Sequence, residues 1–370
     1  MKKILFIFTL FSFHVFGQTL TSINHDGLDR VYSYYVPTNW DQSQEVPLLF
    51  VLHGLTQTGE GVMDITGFNE IAETNNFIVC YPSGISNAWN ANMNVSVSSA
   101  DDKGLIEKLA LLFQNDFNTN PQKQYLCGFS NGGFMSHKMA CESDMCFAAI
   151  ATVSGNMSDT VYANCNPKFP TSVLHIHGTA DPVVTYFGSI TTGVSVAQTM
   201  EKWQQFLSCD PNPSSVDLPN PSILDLSTAS RETYANCVNS SLEHIKVSGG
   251  GHQWPGIATV VGGVGNVNMD FYSPQIIWDF LQDKSCPING MEENNLAQLS
   301  VYPNPFETTI SIKNANEFET YELFTINGCK IRDYSIALEN INLSELPSGV
   351  YLLKLNVNGK KSQFIKINKL

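Results

Sequence analysis

A chain of 370 residues, 43% apolar and 15% charged, is long enough for one large domain or two and can bury a sizeable core. Its net charge of −14 argues against nucleic acid and against an anionic membrane surface as partners. Charge alone does not identify a substrate.

Residues 1–17 read as a signal peptide. Lys2 and Lys3 form a basic start, residues 4–16 an apolar stretch, and Gly17 a small residue ahead of a cut before Gln18. The run is too short for a spanning helix. No later stretch is long and apolar enough either, so the mature chain is expected to be soluble, with no transmembrane segment. Export places the nine cysteines in an oxidising compartment. An odd count leaves at least one thiol unpaired. Cys209 and Cys237 flank an insertion rich in Pro, Asn and Ser, and rank first as a disulfide because closing that loop constrains the unfolded chain. Cys141 with Cys165 ranks second. Cys80 and Cys127 sit in apolar runs and read as small core residues.

From residue 31 to about residue 283, strand and helix patterns alternate. Strand-like runs fall at 31–36, 47–52, 77–81, 124–127, 148–154, 172–177 and 242–247. Helical patterns fall near 64–74, 102–115, 131–141, 194–207 and 273–282. Near-continuous apolar strands alternating with helices predict an α/β fold, with a mostly parallel sheet covered on both faces. That is the α/β-hydrolase architecture, and it marks out 18–286 as one domain.

After Cys286 the pattern changes. Residues 287–298 are polar, contain Gly290 and several Asn, and read as a linker. Only strand signals follow. Asn327-Gly328 and Asn358-Gly359 lie between alternating runs, which marks hairpins and predicts a small β-sandwich over 299–370.

The chemistry concentrates at Gly128-Phe129-Ser130-Asn131-Gly132, a G-x-S-x-G motif between a strand pattern and a helix pattern. This context suits a nucleophile elbow, which exposes the serine at a tight turn facing a helix N-terminus. An acid and a histidine follow in the expected order. Asp181 lies on the loop after strand 172–177, at the carboxyl end of the sheet where such folds build sites. His252 lies after strand 242–247, among glycines and beside Trp254-Pro255, and suits a flexible loop carrying a proton-transfer group. Ser130 as nucleophile, His252 as base and Asp181 as orienting acid form a Ser-His-Asp triad. The oxyanion needs pre-aimed donors. Asn131 N–H is one; Leu55 N–H, on the loop after strand 47–52, is first choice for the other, with Thr56 second. His177 is the nearest rival base, though its place at a strand end suits packing or a loop hydrogen bond. His175 reads as a core histidine, His53 as shaping the oxyanion loop, and His137 and His244 as ordinary element residues. No spacing resembles a metal site such as H-E-x-x-H, and no cofactor is expected.

Taken together, LHGLTQTG, GFSNGG, LHIHGTADPVV and GGGHQWPG resemble the extracellular polyhydroxybutyrate depolymerase and feruloyl esterase group of α/β-hydrolases, over about residues 28–285. The resemblance implies an esterase with Ser130, Asp181 and His252 in the roles above. The chain departs from the family at Leu55, where many relatives carry cysteine, and over 90–99, which lacks a Cys-Cys pair common in relatives. Both departures bear on the disulfides and not on the triad. VYPNPF at Val301, LFTINGCKI and LSELPSGVYLLKL resemble the C-terminal sorting domain of proteins exported by the type IX secretion system. That implies delivery across an outer membrane by the type IX machinery, with the domain then cleaved off or used for surface attachment. The alternative is a carbohydrate- or polymer-binding module.

Trp89 and Trp254 are candidate walls for an aromatic acyl group or a sugar; the alternative is that they cap the core. Three functions stay open. The first is a secreted serine esterase acting on feruloyl or acetyl esters of plant polysaccharide. The second is a polyhydroxyalkanoate depolymerase. The third is an inactive hydrolase fold used as a surface binding protein.

Overall fold

In a computed structural model of the chain, the described residues are 17–94, 98–258, 262–287, 301–312, 320–325, 330–334, 340–356 and 363–370. They divide into two compact units, Met1–Ile288 and Asn289–Leu370.

The first unit runs β1 (Gly17–His25), β2 (Leu28–Val36), β3 (Val46–Leu52), α1 (Gly59–Thr66), α2 (Phe68–Asn75), β4 (Ile78–Pro82), α3 (Asp102–Phe117), β5 (Thr119–Phe129), α4 (Asn131–Glu142) and β6 (Ala149–Val153). It continues through α5 (Asp159–Asn164), β7 (Ser172–Gly178), α6 (Val196–Phe206), β8 (Ser214–Asp217), β9 (Thr228–Tyr234), β10 (Leu242–Ser248) and α7 (Ser273–Leu281). One ten-stranded sheet has the order β1-β2-β4-β3-β5-β6-β7-β10-β9-β8. The strands from β4 to β10 pair in parallel, and antiparallel strands extend both edges.

Period-two alternation explains the apolar runs of the central strands. Leu48, Phe50 and Leu52 of β3 enter one core cluster, and Leu49 and Val51 enter the other. Both faces of β3 are covered, so every position in it is apolar.

The helical pattern at 64–74 resolves into two helices rather than one. Gly67, at φ 64°, ends α1 and begins α2 in a left-handed conformation that glycine adopts without penalty. Three strands lie outside the sequence expectation: β1, β8 and β9. β1 and β8 form the edges of the sheet and β9 lies beside β8; their exposed, alternating or half-buried side chains give a composition that resembles loop. α5, capped by the Ser158 hydroxyl, is also additional.

Cys141–Cys165 and Cys209–Cys237 are both bonded, in agreement with the two expected pairs. A third bond, Cys146–Cys286, closes a sequence separation of 140 and was not foreseen. It fastens the end of the first unit to the segment between α4 and β6. Cys80 and Cys127 are buried and unpaired.

The second unit contains β11 (Val301–Tyr302), β12 (Thr309–Ile312), β13 (Thr320–Thr325), β14 (Lys330–Tyr334), β15 (Asn340–Asn342), β16 (Gly349–Asn356) and β17 (Gln363–Lys369). They form sheets of order β11-β12-β15 and β14-β13-β16-β17. Phe306, Ile310, Ile341, Tyr321, Leu353 and Ile367, drawn from both sheets and a loop, share one core. This is the small sandwich expected from the strand pattern. Strands flanking the two Asn-Gly pairs are antiparallel neighbours. The Asn-Gly turns themselves, Cys329, residues 1–16 of the expected signal peptide and residues 288–298 of the expected linker lie outside the described residues.

Candidate active site

Ser130 sits between β5 and α4 at φ 51° and ψ −119°, a sharp, strained turn. Two glycines permit it. A Cβ on Gly128 would lie 2.1 Å from Gly132 O, and one on Gly132 would lie 2.2 Å from Leu52 O. Both obstacles are backbone, so no side-chain adjustment relieves them. The Ser130 N–H donates to Val153 O at 2.9 Å, which ties the turn to β6. Asn131 begins α4, so the partly positive helix N-terminus lies directly beside Ser130.

Asp181 follows β7 on a loop tied back by Asp181 N–H to Gly178 O at 3.3 Å. Its Oδ2 accepts from His252 Nδ1 at 2.8 Å. Its Oδ1 accepts from the N–H groups of Val183 and Val184, both at 2.8 Å. Burial opposes the charge of Asp181, yet hydrogen bonds from His177 and His252 outweigh it and hold the carboxyl well below the usual range. His252 is not on a free loop as the surrounding glycines suggest. Its N–H donates to Val264 O at 2.7 Å, and its carbonyl accepts from Val264 N–H at 3.1 Å. With Nδ1 given to Asp181, Nε2 is the ring nitrogen left for proton exchange. Ser130, Asp181 and His252 are all buried.

The loop after β3 is organised by its own side chains. Gly54 N–H donates to Gln57 Oε1 at 2.7 Å. His53 Nδ1 donates to Gly54 O at 2.7 Å, and Nε2 accepts from Gly84 N–H at 2.9 Å. Burial pushes its pKa down to about 4, against the opposing hydrogen bond to Gly54, so the ring is neutral. Thr56 N–H is already taken by Asn87 O at 2.9 Å. Among the described residues, the N–H groups of Leu55 and Asn131 have no hydrogen-bond partner.

Trp89 and Trp254 are placed behind the site rather than at its surface. Trp89 is 1% exposed and Trp254 0% exposed, so neither indole offers a free face. Trp89 Nε1 donates to His53 O at 2.9 Å, and its backbone N–H donates to Asn131 Oδ1 at 2.6 Å. Trp254 packs on Phe129 with ring centroids 5.8 Å apart. The Asn131 side chain and Gln57 are thus organising residues that the motif reading passes over. Both lie within the quoted motifs, at positions whose side chains the motif chemistry does not use; the loop-to-loop contacts reveal what they do.

Residues 27–219, more than half of the chain, match the family model described as "Putative esterase". The chain belongs to this esterase family. Residues 300–368 match the model described as the secretion system C-terminal sorting domain, the type IX tail expected from VYPNPF. The protein is therefore secreted or attached at the outer surface. Among curated relatives, the chain is 30% identical to "Putative esterase NocK" of Nocardia uniformis subsp. tsuyamanensis, over 57% of this chain and 66% of that protein. It is also 30% identical to "Probable feruloyl esterase C" of Aspergillus oryzae, over 47% of this chain and 64% of that protein. The chain thus spans less than two thirds of the length of these relatives. A solved structure titled "Crystal Structure of a Thermostable Esterase" matches 72% of this chain and 63% of its own at 13% identity, with a TM-score of 0.50. That likeness speaks to the fold. Among the described residues, no helix is long and apolar enough to cross a membrane.

Proposed function

We propose that this chain is a secreted carboxylic-ester hydrolase in which Ser130, His252 and Asp181 act as a catalytic triad. The observation that carries the proposal is the pairing of the Ser130 elbow with a buried His252–Asp181 hydrogen bond of 2.8 Å, within an esterase-family domain. The Ser130 hydroxyl adds to the ester carbonyl as His252 Nε2 takes its proton. The tetrahedral oxyanion accepts from the N–H groups of Leu55 and Asn131. His252 returns the proton to the leaving alcohol, and an acyl-serine remains. Water then adds with His252 again as base, the acid is released and Ser130 regains its proton. Asp181 fixes the His252 tautomer and stabilises the transient imidazolium. In this reading 18–286 is the catalytic domain, 287–298 the linker and 299–370 the export domain.

The acyl group we favour is feruloyl or acetyl, carried on plant polysaccharide. A relative named as a feruloyl esterase supports this choice. So do apolar side chains exposed on the loops bearing the site, Leu55 beside the oxyanion donors and Val183 and Phe187 after Asp181. The purified protein should hydrolyse methyl ferulate or p-nitrophenyl acetate and leave a hydroxybutyrate film intact. Clearing of the film with no turnover of the other esters would assign it to polyesters. Failure of a folded sample on all three would favour a surface binding protein instead.

A further inference from the structure

We propose that His177 is a positioning residue for the Asp181 carboxylate, locked in one tautomer by a buried line of hydrogen bonds through His175 to Thr152. The proposal rests on the triad reading above.

The tautomers follow from the two ends of the line. His177 Nε2 lies 2.8 Å from Val184 O. A carbonyl can only accept, so Nε2 carries the hydrogen. The same nitrogen lies 3.4 Å from Asp181 Oδ2, so the ring edge that bears this hydrogen also faces the carboxylate. His177 Nδ1 is then the acceptor, and it lies 3.2 Å from His175 Nε2, which must donate. His175 Nδ1 in turn accepts from the Thr152 hydroxyl at 2.7 Å. Every hydrogen in the line points toward Asp181.

The sheet sets this geometry. Thr152 on β6 stands opposite His175 on β7, and His177 follows two residues later on the same face. His244 on β10 stands opposite His175 from the other side. It donates from Nδ1 to His175 O at 2.9 Å, and its Nε2 accepts from the Tyr186 hydroxyl at 2.9 Å. Thr152, His175, His177 and His244 are all buried, so no water substitutes for a lost partner.

His177, Val184 and Asp181 close a ring. The Val184 N–H holds Oδ1, its carbonyl accepts the His177 N–H, and the same ring nitrogen stands 3.4 Å from Oδ2. The carboxylate is gripped on both oxygens, with Oδ2 turned to His252. Without His177 the ring opens, and a buried carbonyl loses its donor.

The test uses a fluorophosphonate probe, which reports an activated serine without knowledge of the substrate. His177→Leu should lower the maximal labelling rate at Ser130 about 10- to 100-fold, the scale of a small misplacement of a catalytic group. The probe's half-saturation concentration should not change. His177→Gln, which supplies an amide N–H near the same place, should restore most of the rate. Unchanged labelling of His177→Leu would overturn the proposal. So would a loss shared equally by the Gln variant, or one confined to half-saturation. If His177→Leu does not fold, Thr152→Val breaks the line at its far end and should slow labelling about 3-fold or more; no change there would equally overturn it. Absence of labelling in the unaltered protein would instead strike the triad reading.

Discussion

Asp181 is where the polar contacts of the site converge. It accepts from the His252 ring N–H and two backbone amides, with His177 Nε2 3.4 Å from Oδ2, while buried at 5% exposure. Its charge is therefore part of the fold and, in the proposed triad, of the chemistry. Asp181→Asn keeps the shape and removes the charge, and the new amide N–H competes for the place facing His252. The variant should lose about 10³- to 10⁴-fold in kcat on its ester with little change in KM, as expected when the base adopts the wrong tautomer. Steady-state kinetics on methyl ferulate or p-nitrophenyl acetate would show it. A loss below about 10-fold would mean that His252 does not depend on Asp181. The positions of Ser130, Asp181 and His252 at the ends of strands were legible in the sequence, because each lies in a short motif after a strand pattern. The approach of His177 to Asp181 was not. His177 is two residues from His175 and four from Asp181, and nothing in that spacing tells a packed histidine from one that stands beside a carboxylate.

At the level of elements, the β5–α4 turn depends on backbone touching backbone. Gly132 lies against Leu52 O and His53 O, so the elbow and the loop after β3 are held at the closest approach two chains allow. Gly132→Ala should destabilise the protein by about 3 kcal/mol or more, the upper range for forced overpacking, because no flexible side chain can give way. Chemical denaturation measures this; a change under about 1 kcal/mol would mean that the loop after β3 yields easily. The buried parallel strands were legible as apolar runs. The edge strand β8 and its neighbour β9 were not, since exposed positions on both faces erase the alternation that marks a strand. The break between α1 and α2 was missed because Gly67 lies within an otherwise periodic helical pattern.

On the scale of the whole molecule, buried histidines govern the response to acid. Burial holds His53 at about 4, His137 at about 3 and His244 at about 4, and keeps His175 well below its ordinary 6.5. In the unfolded chain these rings titrate near 6.5, so below that pH the unfolded state binds protons the folded state refuses. Their stabilisation is complete above about 6.5 and is lost as the pH falls through the folded values. Asp181 acts in the same direction but further into acid, because its folded value is depressed from the ordinary carboxylate range. The thermal midpoint should hold steady from about pH 8 to 7 and fall steeply between about 6 and 4; a flat profile would contradict the buried neutral assignments. The α/β architecture and the C-terminal strand domain were both legible in the order of patterns along the chain. The Cys146–Cys286 bond was not, because a pairing across 140 residues depends on where the fold brings the two ends.

The central claim is that Ser130 is an activated nucleophile. The most direct measurement is mass-spectrometric mapping of the fluorophosphonate adduct on the purified protein. We predict one adduct, at Ser130, absent from Ser130→Ala and slowed in His252→Ala. A folded protein with no adduct, or with the adduct on another residue, would contradict the claim.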